Sequence, residues 1–286
     1  VPSQAVFVSP DGSDANAGSQ PYPVKTLAKA ISIASSGATV VLRAGTYHES
    51  VTVPSNKRLT IQNFPGEAAW LDGSSAVTGF QKSGSTWVKS GWTAKFDSSP
   101  TYTKGAADGT AVGWQWINPA YPMASHPDQV WIGSTKLAQV GSRSQVTAGT
   151  FFVDYDTKQL VLGSDPDSSA VRASDLGIGL TVVGSGTVVR GIGIRRYATS
   201  VPDMGTVRIA ASGVTLENVV VSDNATQGVT AWAANTTLRK VTAINNGLTG
   251  FHAHQADAFV ADRVLSKNNN NEHFNVAPVS AGLKIS

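Results

Sequence analysis

Val207, Val229, Phe251 and Phe274 recur at intervals of 22, 22 and 23 residues along the C-terminal third of the chain. Val219, Val241 and Val264 repeat at 22 and 23, and so do Asn224, Asn246 and Asn269. Each unit divides into short strands of three or four residues with Gly or Asn between them. A unit this short cannot bury its own apolar face, but stacked units can, at about 4.8 Å per step. A period of this length with three strands per unit predicts coils of a parallel β-helix. The apolar columns then form its core, and the aligned asparagines form a side-chain ladder. A leucine-rich repeat has a similar period, but its Leu pattern is missing here. Thr187-Val188-Val189 opens one earlier unit, with extra loop residues around 199–203.

Composition agrees with stacked β coils. Charged residues are 14% of the 286, against roughly 25% in an average globular chain. The net charge of +3 is too small for a nucleic-acid binder driven by phosphate contacts. There is no cysteine, so neither a disulfide scaffold nor a Cys-ligated metal is possible. No apolar run approaches the roughly 18 residues of a membrane span, so no membrane partner is expected. A Cys-free, weakly charged β protein with seven Trp fits a bacterial secreted protein.

Upstream of the repeats, 25–35 reads as one short helix with Leu27, Ala30, Ile31 and Ala34 on one face, followed by short strands at 39–42, 51–53 and 59–61. Between 80 and 175 the period vanishes and five of the seven Trp appear. Two hairpins are legible there: Val130-Trp131-Ile132 returning through 136–140, and Phe151-Phe152-Val153 returning through Leu160-Val161-Leu162. The expected class is all-β: a right-handed parallel β-helix with an N-terminal helix cap and an inserted β-rich subdomain. Residues 1–79 form the cap and first coils, 80–175 the insertion and 176–286 the later coils. Leu283 falls nine residues after Phe274, as Leu238 falls nine after Val229. That spacing places it in the second strand of a coil left unfinished at Ser286. The chain is therefore expected to be a fragment, or to be continued beyond Ser286 by a second chain.

The stretches Val8–Ser19, Pro23–Ile31 and Val41–Glu49 resemble the N-terminus of pectate-lyase-like right-handed parallel β-helix proteins. Ser125-His126-Pro127-Asp128-Gln129-Val130-Trp131 and the 151–163 hairpin resemble the inserted β subdomain of some secreted bacterial members. The resemblance implies a carbohydrate-active protein: lyases, glycoside hydrolases and epimerases share the fold, with sites on one outer sheet face. No catalytic motif of one family matches, and fold alone does not fix function.

The coil register nominates a site. With Val207, Val229, Phe251 and Phe274 inward, alternation turns Arg208, Thr230, His252 and Asn275 outward in one column. Ala210, Trp232, His254 and Ala277 form the next, and Asp257 sits at the following turn. His252 and His254 point the same way, about 6.6 Å apart. They read as a general base with an orienting group, as metal ligands with Asp257, or as a hydrogen-bonded surface pair. A lyase needs a base and a group that neutralises the substrate carboxylate, roles open to His252, Arg208 and Asn275; Ca²⁺ is a possible cofactor. A hydrolase needs two carboxylates roughly 5–9.5 Å apart, for which Asp203, Asp223, Asp257 and Glu272 are available. Catalytic roles are thus expected at His252, His254, Asp257 and Arg208. Substrate binding is expected at Trp232, Asn275, Glu272, His273, Trp114 and Trp116. Arg195-Arg196-Tyr197 either borders the cleft or is a solvated turn. The expected function is a secreted polysaccharide lyase or glycoside hydrolase acting on a polysaccharide or oligosaccharide, with a non-catalytic carbohydrate-binding or adhesion module and an epimerase as alternatives.

Overall fold

Three parallel sheets carry the coils in the computed structural model, which describes residues 1–286 other than Ser3 and Thr110. The first sheet holds seven strands, at Val6–Val8, Thr39–Leu42, Thr60–Asn63, Val188–Arg190, Thr215–Glu217, Thr237–Arg239 and Val260–Asp262. The second runs through Gly45–Tyr47, Ala69–Asp72, Ile192–Arg195, Val220–Ser222, Thr242–Ile244 and Leu265–Lys267. The third runs through Val51–Val53, Leu180–Val182, Val207–Ile209, Val229–Ala231, Phe251–Ala253 and Leu283–Ile285. This is a right-handed parallel β-helix. Its core consists of aligned columns: Val40, Ile61, Val189, Leu216 and Leu238; Tyr47, Leu71, Ile194, Val221 and Ala243; Val51, Leu180, Val207, Val229 and Phe251. β-Branched side chains suit such a stack, since each fits the pleat and touches its copies one step above and below.

The coils bend at fixed places. Gly191, Asn218, Lys240 and Arg263 share a left-handed backbone just before the second sheet. Arg196, Asp223, Asn245 and Asn268 share it just after. One residue per corner with φ near +55° turns the strand direction, and Asn and Asp tolerate that conformation better than other non-glycine residues. Asn224, Asn246 and Asn269 sit next to the second corner and form the expected ladder. Nδ2 of Asn224 donates to Oδ1 of Asn246 at 2.9 Å, and Nδ2 of Asn246 donates to Oδ1 of Asn269 at 2.9 Å. The same oxygens accept the backbone N–H of the preceding ladder residue, and Oδ1 of Asn224 accepts the N–H of Tyr197.

Past the helix-bearing 9–38 segment, which joins two strands of the first sheet, the long excursions leave from the corner between the second and third sheets. That corner takes residues 48–50 in the first coil, 73–179 in the next, then 196–206, 223–228, 245–250 and 268–282. The largest excursion is the insertion. It contains a four-stranded sheet built from Ser74–Ala76, Val130–Ile132, Thr135–Lys136 and Val171–Ser174. Its second sheet has five strands, including both arms of the Phe151–Leu162 hairpin. The Phe151–Leu162 hairpin is present as expected, whereas the strand expected over 136–140 is split: Thr135–Lys136 returns antiparallel to Val130–Ile132, and Ala138–Gln139 crosses to the other sheet to pair in parallel with Thr150–Asp154. Leu180 nevertheless pairs with Val51, so the β-helix resumes in register as if the insertion were absent.

Asp72 stands where the insertion departs and is fully buried. Arg195 Nε lies 2.8 Å from its Oδ2, and Arg172 and Arg196 approach to 3.8 Å. Ser74 donates to Oδ1 through both its N–H and its hydroxyl. Arg172 comes from the returning strand and also donates to the Ser74 carbonyl. Arg195 and Arg196 are thus tied to a buried carboxylate rather than forming a solvated turn, and Tyr197 is fully buried. The short helix, Leu27–Ile33, is N-capped by Thr26 and contributes Leu27, Ala30 and Ile31 to the β-helix core.

The last coil departs from the spacing read in the sequence. Leu283, not Phe274, pairs with Phe251, so Leu283–Ile285 belongs to the third sheet rather than to a second strand of a new coil. Residues 268–282 loop out, and Phe274 fills a separate cluster with Trp116, Ala124, Val201, Leu248 and Val279. An apolar residue at the repeat interval was buried, but in a different core.

Candidate functional site

The corrected register decides which side chains share the outer face of the third sheet. Its first outward column is Thr52, Thr181, Arg208, Thr230, His252 and Lys284. The second includes Ala210, Trp232, His254 and Ser286, two residues further along each chain segment. Arg208, Trp232, His252 and His254 therefore come together as expected. Asn275 and Ala277 do not join them, because the 268–282 loop displaces both. Lys284 and Ser286 take their places.

The contacts are specific. The Arg208 guanidinium lies 5.5 Å from the Trp232 ring centre. The two imidazoles are 5.7 Å apart. Ser286 Oγ bridges them, at 3.0 Å from His252 Nε2 and 2.9 Å from His254 Nδ1. The insertion reaches over this face: Tyr102 stacks on His252 at 6.1 Å, and its Oη accepts from Gln227 Nε2 at 3.1 Å. His252 is consequently only 3% exposed, while His254, Arg208, Trp232 and Lys284 remain half-buried. Four side-chain atoms at this face are buried without a hydrogen-bond partner: Arg208 Nε, Gln227 Oε1, Thr230 Oγ1 and His252 Nδ1. Buried polar groups are nearly always paired, so a cluster of orphans in one column marks a place where a polar ligand or ordered water completes the set.

Burial pushes His252 down to about 4, and the charges of Lys284 and His254 push the same way. Its imidazole is therefore neutral at pH 7. Between about pH 6.5 and 4 the unfolded chain binds a proton at this residue and the folded chain does not. Stability is therefore lost as the pH is lowered through that window, by roughly 3 kcal/mol for this group. His252→Gln is expected to flatten the acid limb of stability against pH relative to wild type, measured as urea midpoints from pH 7 to 4. An unchanged acid limb would contradict the assigned burial.

The other nominated residues lie elsewhere. Asp257 is exposed on the turn before Val260–Asp262, and its carbonyl accepts from Asn235 N–H. Among the described residues no group of three or more His, Cys, Asp or Glu is placed to hold a metal ion, which removes the reading of His252, His254 and Asp257 as ligands. Asn275 Nδ2 donates to the carbonyls of Gln115 and Ile117, tying the last loop to the insertion. Trp116 is 8% exposed and packs edge-on to Tyr102, so it is core rather than platform; Trp114 is 58% exposed and outside that core. Glu272 pairs with Lys136, and His273 stacks on Tyr121 at 4.1 Å, both on the insertion side. Asp203 accepts from Ser200 and Asp223 from Asn245, and neither belongs to the outward columns. Tyr102, Gln227, Lys284 and Ser286 were not nominated from sequence. Only the true length of the last corner loop reveals the latter two, and only tertiary packing the former.

The family described as "Protein of unknown function (DUF1565)" matches residues 10–115. Over 76 residues, 25% of this chain and 16% of the relative, the sequence is 40% identical to the uncharacterized protein YwoF of Bacillus subtilis (strain 168). Over 74 residues, 24% of this chain and 18% of the relative, it is 34% identical to pectate lyase PEL9 of Emericella nidulans. Among solved structures, "The complex structure of XylC with xylose" superposes with a TM-score of 0.80 at 16% identity, covering 99% of this chain and 56% of that one. A structure described as "Glycoside hydrolase" gives 0.55 at 13% identity, covering 87% of this chain and 67% of that one. The aligned chain thus spans less than a fifth of either curated relative and little more than half of XylC. At these identities the structural likeness is one of fold.

Proposed function

We propose that this chain, whose fold is that of the pectate-lyase-like right-handed parallel β-helix superfamily, is a polysaccharide-active protein that binds an acidic glycan on the outer face of its third sheet. One observation supports this above the others: Arg208, Trp232, His252, His254 and Lys284 share that face, and four buried polar atoms there lack partners. Trp232 offers an aromatic surface to a sugar ring. Arg208 and Lys284 neutralise a uronate carboxylate. The two outward columns contain no Asp or Glu, which favours elimination over a two-carboxylate hydrolysis.

The chemistry assigned to this face is a β-elimination. A base removes the proton alpha to the uronate carboxylate, the electron pair forms a carbon–carbon double bond, and the glycosidic oxygen leaves and takes up a proton. His254 is the base in this reading, because it is half-exposed. Ser286 links it to the buried His252, which acts as a positioning residue. The names of the relatives, a pectate lyase and a xylose complex among them, accord with a carbohydrate substrate. Such a substrate lies outside the cell, and secretion is part of the proposal; no helix among the described residues is long and apolar enough to cross a membrane.

The test is incubation with polygalacturonate, alginate and xylan, reading unsaturated products by ultraviolet absorbance and new reducing ends in parallel. Absorbance from an acidic polymer is expected. His254→Ala should lower kcat by about 10²-fold or more, and Arg208→Ala should raise KM. Reducing ends without absorbance would make the chain a hydrolase, and binding without either product would make it a binding module.

A further inference from the structure

The insertion holds a second concentration of unpaired polar atoms, away from the third-sheet face. Asp128 is 6% exposed and has no cation within ion-pair distance among the described residues. Its Oδ2 accepts from Tyr155 Oη at 2.5 Å and from Gln139 Nε2 at 3.2 Å. Its Oδ1 has no partner, and neither do Gln139 Oε1 and His126 Nδ1. Gln139, His126 and Tyr155 line one depression of the surface. Two further depressions adjoin it, and all three share Met123 and Gln139. They therefore form one groove across the insertion. At its far end Tyr121, 44% exposed, stacks on His273 of the last coil loop.

We propose that this groove is a second carbohydrate-binding site, for a run of neutral sugar units. Gln139 lines the groove with Asp128 behind it, and the orphan oxygens of both are acceptors, so a ligand that completes the set must offer donors, and sugar hydroxyls do. A uronate carboxylate brings only acceptors and would face Asp154 and Asp156, two carboxylates against the single ammonium of Lys95 in the same depression. Aromatic faces at both ends, Tyr155 and Tyr121, fit sugar rings. A groove shared by three depressions fits a chain rather than a monosaccharide. The assignment is independent of the chemistry proposed for the third-sheet face: the two sites share no residue, and the ligands differ in charge.

Isothermal titration of the protein with cellohexaose, xylohexaose and mannohexaose tests it. At least one is expected to bind with a Kd below about 1 mM. Gln139→Ala and Tyr121→Ala should each weaken that binding about tenfold or more, and Trp232→Ala should leave it unchanged. Tyr121 is exposed, so its variant reports on the groove even where Gln139→Ala disturbs the Asp128 cluster. Absence of binding by all three, retention of full affinity in Tyr121→Ala, or loss of binding in Trp232→Ala would overturn the proposal.

Discussion

Asp72→Ala is expected to destabilise the protein by about 3–5 kcal/mol, because it leaves three half-buried guanidinium groups and a buried Ser74 hydroxyl without the carboxylate they share. Asp72 is fully buried, and Arg195 and Arg196 converge on it from the next coil and Arg172 from the returning strand of the insertion. Removing the carboxylate also strips Ser74 of the acceptor for its N–H and its hydroxyl. For a chain of this size the loss corresponds to a fall in Tm of roughly 10 °C. The neck of the insertion should open first, so that proteolysis near 74 and 172 accelerates before global unfolding. Glu217→Ala serves as the comparison. Its contact with Arg239 is 3.9 Å long and partly exposed, and exposed pairs of this kind contribute about 0–1 kcal/mol. Equal midpoints for Asp72→Ala and Glu217→Ala would show that the arginines find other partners and that Asp72 does not hold the insertion.

Asn246→Ala is the second large effect, about 2–5 kcal/mol. Asn246 is fully buried in the middle of the ladder. Its Oδ1 accepts from the side chain and backbone of Asn224, and its Nδ2 donates to Asn269 and to the Val221 carbonyl at 3.2 Å. Alanine leaves each of these groups buried and unpaired, and desolvating an unpaired group costs about 1–3 kcal/mol. Asn235→Ala, at an exposed turn whose backbone is left-handed (φ 59°), should cost no more than about 1 kcal/mol. The measurement is the urea midpoint at constant m-value. A small loss for Asn246→Ala, comparable to that of Asn235→Ala, would mean that water enters the corner and replaces the ladder.

These two sites also mark what the sequence discloses and what it hides. Asn246 was legible: its copies recur at a fixed interval, and a stack translates a fixed interval directly into contact. The inward columns from Val207 to Phe251 were legible for the same reason. Asp72 was not, since nothing in the order of residues says that Arg172 returns beside Arg195 after a hundred-residue excursion. The candidate site was half legible. Arg208, Trp232, His252 and His254 lie on coils with corners of regular length, and the alternation rule placed them correctly. The final corner is 268–282, longer than the three before it, and Phe274 happens to fall at the repeat interval. Its burial in the cluster with Trp116 satisfies the same hydrophobic demand as a core position would. Asn275 was therefore placed beside His252, where Lys284 stands. The cover over the face was invisible for another reason. Tyr102 belongs to a stretch without periodicity, and its contact with His252 is settled only by how the insertion packs. That contact makes His252 a buried neutral group instead of an exposed base.

The central claim is that an acidic glycan is held on the third-sheet face. A crystal structure of the protein with trigalacturonate tests this most directly. The account predicts a uronate carboxylate against Arg208 and Lys284, a sugar ring on Trp232, and His254 facing the carbon alpha to that carboxylate. Trigalacturonate seated elsewhere, with Arg208 Nε and His252 Nδ1 still unpaired, would contradict it.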